Sequence, residues 1–431
     1  MSRQLESGIS RRKLMGGMAA GGLLLGAPAL VHARQASAHV VVVGGGFGGA
    51  TAARYLRRYL PEVKITLVEP AQRFYTCPFS NLYLAGLRSW ESIGHGFDGL
   101  RKLGIEVVHA SAEGVDAAAR TVRLSNGSTL KWDKLVLSPG VDMQWNKLNG
   151  YDEAAAELAP HAWKAGPQTQ LLKRQLEAMK DGGTFVMTIP ENPFRCPPGP
   201  YERAAMVAHY FKQHKPKSKI LLLDAKTAFS KQALFMQGWK ALYGDMIEWV
   251  GQSDDGEVVR VDARKREVET AFGQIHKADV LNVIPPQKAG FIAERAGVSN
   301  GSGWVPIKGD TFESAQVQDV FVVGDATIAA PMPKSGFAAN TQGKVVAAAI
   351  AAQVRGQDLP AASYANTCYS LIGPGYGISV AGVYRAENGK VIEVPGSGGV
   401  SPLDGDQRFR QAEARYGEGW YAAITADIWG A

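Results

Sequence analysis

Short apolar runs recur along the chain, and a helix-like stretch follows several of them. His39–Val43, Lys64–Val68, Lys134–Leu137, Thr184–Thr188, Lys219–Asp224 and Val320–Val323 read as strands. They are continuous rather than alternating, which is the signature of strands buried on both faces of a parallel sheet. Residues 48–60, 201–214 and 336–354 carry helical patterns. Near the end the pattern changes. Tyr376–Tyr384 and Gly389–Val394 alternate apolar with polar, which predicts antiparallel strands with one wet face.

The turns between these elements carry the chemistry. The first strand ends in Gly44-Gly-Gly46-Phe-Gly-Gly49, a G-x-G-x-x-G turn opening a helix, and the next strand ends at Glu69, twenty residues past the last glycine. Gly44 makes the tight turn, Gly46 admits a pyrophosphate to the backbone, Gly49 lets helix and strand pack, and Glu69 can accept ribose hydroxyls. A glutamate repels a 2′-phosphate, so FAD or NAD is favoured over NADP. The run Val320–Val323 closes on Gly324-Asp325, before the helix at 336–354. That aspartate can hold a ribityl chain, which selects FAD, or it is an ordinary loop or capping aspartate. A second strand–turn–helix–strand unit begins at Thr184, but its turn is Cys196-Pro-Pro-Gly-Pro rather than glycine-rich. The chain is therefore predicted to be α/β, with two Rossmann-like dinucleotide-binding domains, the second degenerate, and a C-terminal α+β interface domain.

Apolar residues make up 45% and charged residues 20%, which excludes a disordered or low-complexity chain. Ser10-Arg11-Arg12-Lys13-Leu14-Met15, followed by an apolar Gly/Ala-rich stretch and Val31-His32-Ala33, predicts a twin-arginine signal peptide over residues 1–33 and a periplasmic location. Its removal takes away Arg3, Arg11, Arg12, Lys13 and Glu6, so the formal charge falls by 3, from +7 to +4. No basic run with interleaved aromatics points to nucleic acid, and no later apolar stretch approaches the ~20 residues of a spanning helix. The three cysteines, Cys77, Cys196 and Cys368, are too widely separated for a zinc site. An odd number in an oxidising compartment predicts one pair and one cysteine committed elsewhere. Cys196, just before a helix N-terminus, is expected to have a lowered pKa.

The segments Arg73–Asn81, Cys196–Arg203, Gly324-Asp325 and Ala365–Ser370, together with the twin-arginine signal, resemble the flavoprotein subunit of flavocytochrome c sulfide dehydrogenase, within the disulfide-reductase-like flavoproteins. The resemblance covers essentially the whole chain beyond the signal. It implies FAD bonded covalently through Cys77, a redox-active disulfide between Cys196 and Cys368, Glu202 as a proton-transfer group, and a c-type cytochrome partner carrying haem c. It implies hydrosulfide as substrate, attacking the disulfide to give a persulfide and a thiolate. Each residue also has a plainer reading. Cys77 can be a buried structural cysteine, Cys196–Cys368 a purely structural link, and Glu202 a first-turn glutamate favoured by the helix dipole.

The domain plan expected is a FAD-binding domain at 38–150 and 285–360, a degenerate second nucleotide-binding-like domain at 151–284, and a C-terminal domain at 361–431. Trp420, Tyr421 and Trp429 in the tail suit either core packing or a partner-docking surface. Alternative functions are a sulfide:quinone oxidoreductase, a pyridine-nucleotide-dependent disulfide reductase, and a non-catalytic FAD-stabilised binding or assembly protein.

Overall fold

The computed structural model describes residues 38–430, so the predicted signal segment lies outside the described residues. From the N-terminal side the elements are β1 (His39–Val43), α1 (Phe47–Tyr59), β2 (Lys64–Val68), β3 (Glu106–Val108) and β4 (Lys134–Leu137). A second series follows: β5 (Thr184–Ile189), α2 (Gly199–His214), β6 (Lys219–Asp224), α3 (Gln232–Tyr243), β7 (Ile247–Val250) and β8 (Val280–Val283). The chain then returns through β9 (Val320–Val322) and α4 (Gly336–Arg355). It ends in β10 (Ser363–Gly373), β11 (Tyr376–Glu387), β12 (Lys390–Glu393) and α5 (Gln407–Trp429).

Two parallel sheets result. The first has the order β9-β4-β1-β2-β3, the second β7-β6-β5-β8. In each, the chain steps outward from a founding strand and then restarts on that strand's other side. The carboxyl end of the founding strand, where such sheets gather ligands, is therefore a switch point. The G-x-G-x-x-G turn leaves β1 at one such point and the Cys196 turn leaves β5 at the other. Val40, Val41 and Val42 of β1 and Phe185, Val186 and Met187 of β5 are fully buried, as the unbroken apolar runs require.

The C-terminal unit is an antiparallel sheet, β10-β11-β12, covered by α5. Here the docking-surface reading of the tail gives way to packing. Tyr421 and Trp429 are buried at 3% and 5% exposure. Trp429 stacks on Phe74 and His95, and its indole Nε1 donates to the Gly45 carbonyl at 3.1 Å. A buried indole is favoured where its N–H finds an acceptor, and here the glycine turn supplies one. Trp420, half-buried, lines the cavity described next.

Candidate functional site

A cavity of about 520 Å³ lies where the two sheets and the C-terminal unit converge. It is lined by Gly44, Gly46, Glu69, Cys77, Cys196, Glu202, Gly324, Asp325 and Cys368, which come from chain segments hundreds of residues apart. Gly49 stands behind the turn. A Cβ there would meet the Gly44 carbonyl oxygen at 1.9 Å, and one on Gly44, at φ +100°, would meet the Ser138 oxygen at 2.3 Å. These two positions demand glycine because helix and strand approach too closely for any side chain.

Glu69 is buried at the floor of the turn. Its Oε2 accepts the Gly45 N–H at 2.7 Å and its Oε1 the Ala71 N–H at 2.9 Å, so this carboxylate also holds the glycine turn in shape. Asp325 ion-pairs through Oδ2 with Arg195 Nε at 2.6 Å, whereas its Oδ1 is buried without any hydrogen-bond partner. A buried carboxylate oxygen left unpaired is costly, and a hydroxyl-bearing ligand is what it lacks. The N-terminus of α4 also reaches the cavity at Gly336 and Phe337, with Ser335 capping it through the Ala338 N–H at 3.0 Å. Glycine cradle, ribose-side carboxylate, orphaned Asp325 oxygen and helix N-terminus together fit a flavin dinucleotide. FAD would be held by the turn at 44–49, Glu69, Gly324 and Asp325.

The three cysteines are free thiols, and all three line the cavity. Cys77 donates to the Trp163 carbonyl at 3.4 Å and receives Arg195 Nη1 at 3.6 Å. Cys196 sits at φ +56°, a left-handed conformation unfavourable to a side chain. It is fixed there by its N–H to the Lys334 carbonyl and by its carbonyl accepting the Gly199 N–H. Cys368, on β10, accepts from Asn366 Nδ2 at 3.5 Å.

The helix N-terminus does not make Cys196 acidic. Its pKa is raised well above the ordinary thiol value, first by burial, then by Cys368, Glu202 and Cys77. Three of the first four positions of α2 offer a thiolate no free donor. Gly199 N–H goes to Cys196's own carbonyl, Glu202 N–H goes to Pro198, and Pro200 has none. Desolvation therefore outweighs the dipole.

Glu202 lies in the first turn of α2, partly buried, accepting Asn81 Nδ2 at 2.9 Å and the Leu371 N–H at 2.8 Å. Burial raises its pKa despite those bonds. Its neighbour Arg203 closes the Cys196–Arg203 segment. It is 2% exposed and ties the site together: Nε to Asn81 Oδ1, Nη1 to Asn282 Oδ1 and the His161 carbonyl, and Nη2 to the Ala162 carbonyl. Arg195, Asn81, Trp163 and Lys231 were missed. Each meets the site through contacts 80 or more positions away in sequence, which no local pattern announces.

At the second switch point the space beside β5 is lined by Pro190, Pro193, Pro197, Pro286, Pro331 and Pro333. Proline supplies no N–H, so these six positions offer a phosphate no backbone donor.

Three family descriptions match the chain. "Pyridine nucleotide-disulphide oxidoreductase" covers residues 38–178. "Sulfide dehydrogenase [flavocytochrome c] flavoprotein chain, central" covers 169–285. "Flavocytochrome c sulphide dehydrogenase, flavin-binding" covers 360–429. The sulfide dehydrogenase [flavocytochrome c] flavoprotein chain of Chlorobaculum thiosulfatiphilum is 67% identical over 42 residues, 10% of this chain and 88% of that one. The mitochondrial sulfide:quinone oxidoreductase of Mus musculus is 23% identical over 67% of this chain, a match spanning 65% of the mouse protein's length. The crystal structure of the sulfide:quinone oxidoreductase from Aquifex aeolicus superposes with a TM-score of 0.66 at 20% identity, covering 91% of this chain and 93% of that one. Fold, glycine cradle and matched segments agree, and the chain belongs to the sulfide-oxidising flavoprotein family that holds flavocytochrome c sulfide dehydrogenase and sulfide:quinone oxidoreductase.

Proposed function

We propose that the chain oxidises hydrosulfide at Cys196 and Cys368, retains FAD covalently through Cys77, and passes electrons to a c-type cytochrome subunit carrying haem c, in the periplasm. The observation that carries this reading is the convergence of two thiols, the partly buried Glu202 carboxyl and the dinucleotide cradle on one cavity.

With Cys196 and Cys368 joined, hydrosulfide attacks one sulfur. The cysteine S–S bond breaks, a new S–S bond forms to the incoming sulfur, and the other cysteine leaves as thiolate. The incoming sulfur is thereby oxidised and the pair reduced. Glu202, whose protonated form burial favours, can give a proton to that thiolate or take one from the incoming SH. FAD, when bound, supplies a two-electron acceptor able to release its electrons singly. Arg203 and Asn81 hold Glu202 and α2 against the wall formed by residues 161–163. The proline-walled second switch point favours a scaffold role for that domain over NADH binding.

The test is an anaerobic sulfide titration of the holoprotein, followed by addition of cytochrome c or a soluble quinone. Sulfide should bleach the flavin spectrum, Cys196→Ser and Cys368→Ser should abolish bleaching, and cytochrome c should restore the spectrum faster than quinone. Full bleaching of Cys196→Ser would overturn the reading, and faster restoration by quinone would replace the acceptor. Flavin released from Cys77→Ser by acid, but retained by the unaltered protein, tests the covalent bond.

A further inference from the structure

Lys231 is a buried lysine that the chemistry above does not use. It precedes α3 at φ +62°, a left-handed conformation costly for a residue with a side chain, and its ammonium is turned inward. Nζ donates to the Cys368 carbonyl at 2.9 Å and to Ser370 Oγ at 2.8 Å, both on β10, and lies 5.6 Å from the Phe235 ring centroid. Among the described residues it has no carboxylate in ion-pair contact, although nearly every other buried cation in the fold has an anion or a set of carbonyls.

The groups facing it are few. Cys368 lies on β10, Cys196 on the turn before α2, Glu202 on α2 and Glu413 on α5. Glu413 is already matched by Arg410 at 3.5 Å and by the hydroxyls of Ser379 and Ser401. Burial raises the pKa of Glu202. Arg203, the other buried cation near the pair, is spent on Asn81, Asn282 and two carbonyls. Lys231 thus has no carboxylate in contact with it among the described residues, and opening the cysteine pair creates one negative charge. A buried unpaired charge is expensive, and this one becomes paired when the thiolate forms.

We infer that Lys231 is the counter-cation of the reduced pair and selects Cys368, rather than Cys196, as its resident thiolate. Asn366 Nδ2, already directed at Cys368 Sγ, completes the setting, whereas the N–H groups next to Cys196 are committed elsewhere. Burial holds the ammonium's pKa down at about 8, and Cys368 is the first of the anions that raise it. Lys231 acts through field and through the β10 backbone, so it is a positioning residue.

The inference rests on the reading of Cys196 and Cys368 as a redox pair, but its test uses no sulfide. The holoprotein is reduced with a phosphine under argon and pulsed with iodoacetamide across a pH series, and the two cysteine peptides are quantified by mass spectrometry. Cys368 should label about tenfold faster than Cys196 near neutral pH, Lys231→Met should slow Cys368 about tenfold and move its profile up by about one unit, and Lys231→Arg should restore it. Faster labelling of Cys196 in the unaltered protein overturns the inference, and so does an unchanged Cys368 profile in a folded Lys231→Met. If Lys231→Met does not fold, the ratio of the two cysteines in the unaltered protein still decides. A labelling pattern as expected in a protein whose flavin sulfide does not bleach upholds Lys231 and removes the sulfide reading alone.

Discussion

Arg195 Nε donates to Asp325 Oδ2 at 2.6 Å across 130 residues of chain, and the same guanidinium touches Cys77 Sγ through Nη1 at 3.6 Å. Burial disfavours the cation, but Cys77 and Asp325 more than offset it, so Arg195 stays charged throughout the physiological range. One side chain thus links the turn of the second sheet to the return segment of the first. Arg195→Met strips Asp325 of its cation while leaving it buried, and should cost about 3–5 kcal/mol in urea unfolding. Arg195→Met with Asp325→Asn should recover part of that loss, giving a coupling of about 1–3 kcal/mol in a double-mutant cycle. Simple additivity would show that the pair is not an energetic unit.

A methyl group on Gly49 would stand 1.9 Å from the Gly44 oxygen, and backbone cannot yield as a flexible side chain does. Gly49→Ala should destabilise by roughly 1–3 kcal/mol or more and lose flavin on gel filtration. Gly96, with nothing within 4 Å of an added Cβ, is the control: Gly96→Ala should stay within about 0.5 kcal/mol and keep its flavin.

Glu202 has a folded pKa raised above its unfolded value, first by burial. A group raised in this way contributes stability below its unfolded pKa, and that contribution is lost as pH rises through the folded pKa. Glu202→Gln cannot ionise. Whatever constant offset the amide introduces against Asn81, its stability relative to the unaltered protein should climb as pH rises from the ordinary glutamate range. Thermal melts of both proteins along a pH series give the slope. A flat difference would mean that Glu202 ionises in the fold as readily as in the unfolded chain.

His161 runs the other way. Burial, then Arg203 and Lys164, lower its pKa to about 3, and its Nδ1 accepts the Trp163 N–H at 2.9 Å. Its stabilising contribution is present above the unfolded value of about 6.5 and drains away as pH falls toward the folded one, a loss on the order of 5 kcal/mol at most. His161→Asn keeps a side-chain acceptor but has no proton to take up. Its urea midpoint should fall less between neutral and acid pH than that of the unaltered protein, and equal acid sensitivity would assign the acid limb to other groups.

The framework of the fold was written locally. Unbroken apolar runs required parallel strands, and the glycines at 44, 46 and 49 were placed by sterics that span only one turn. The position of Cys196 after β5 was legible for the same reason. Its acidity was not. A sequence shows the helix that follows a cysteine, but it does not show how much protein closes over the thiol or that Gly199 and Glu202 spend their N–H groups inside the turn. Lys231 illustrates the larger limit. Before α3 it looks like any helix-flanking lysine, and only the approach of β10, 137 residues later, turns it into a buried cation. The tail aromatics were open to two readings because amphipathic rings suit cores and interfaces alike, and the acceptor that decided for Trp429 is the Gly45 carbonyl, 384 residues upstream.

That last contact has a consequence for biogenesis. Arg54 Nη1 also reaches the Gly430 carbonyl, at 2.6 Å, so the final turn of the chain braces the first helix and the loop before it. A ribosome-bound or truncated chain ending before Gln407 has β1, α1 and every glycine of the cradle, yet lacks the indole that holds their loop. A change that loosens α5 is therefore expected to loosen the loop at 44–49 as well, although the two lie at opposite ends of the described chain.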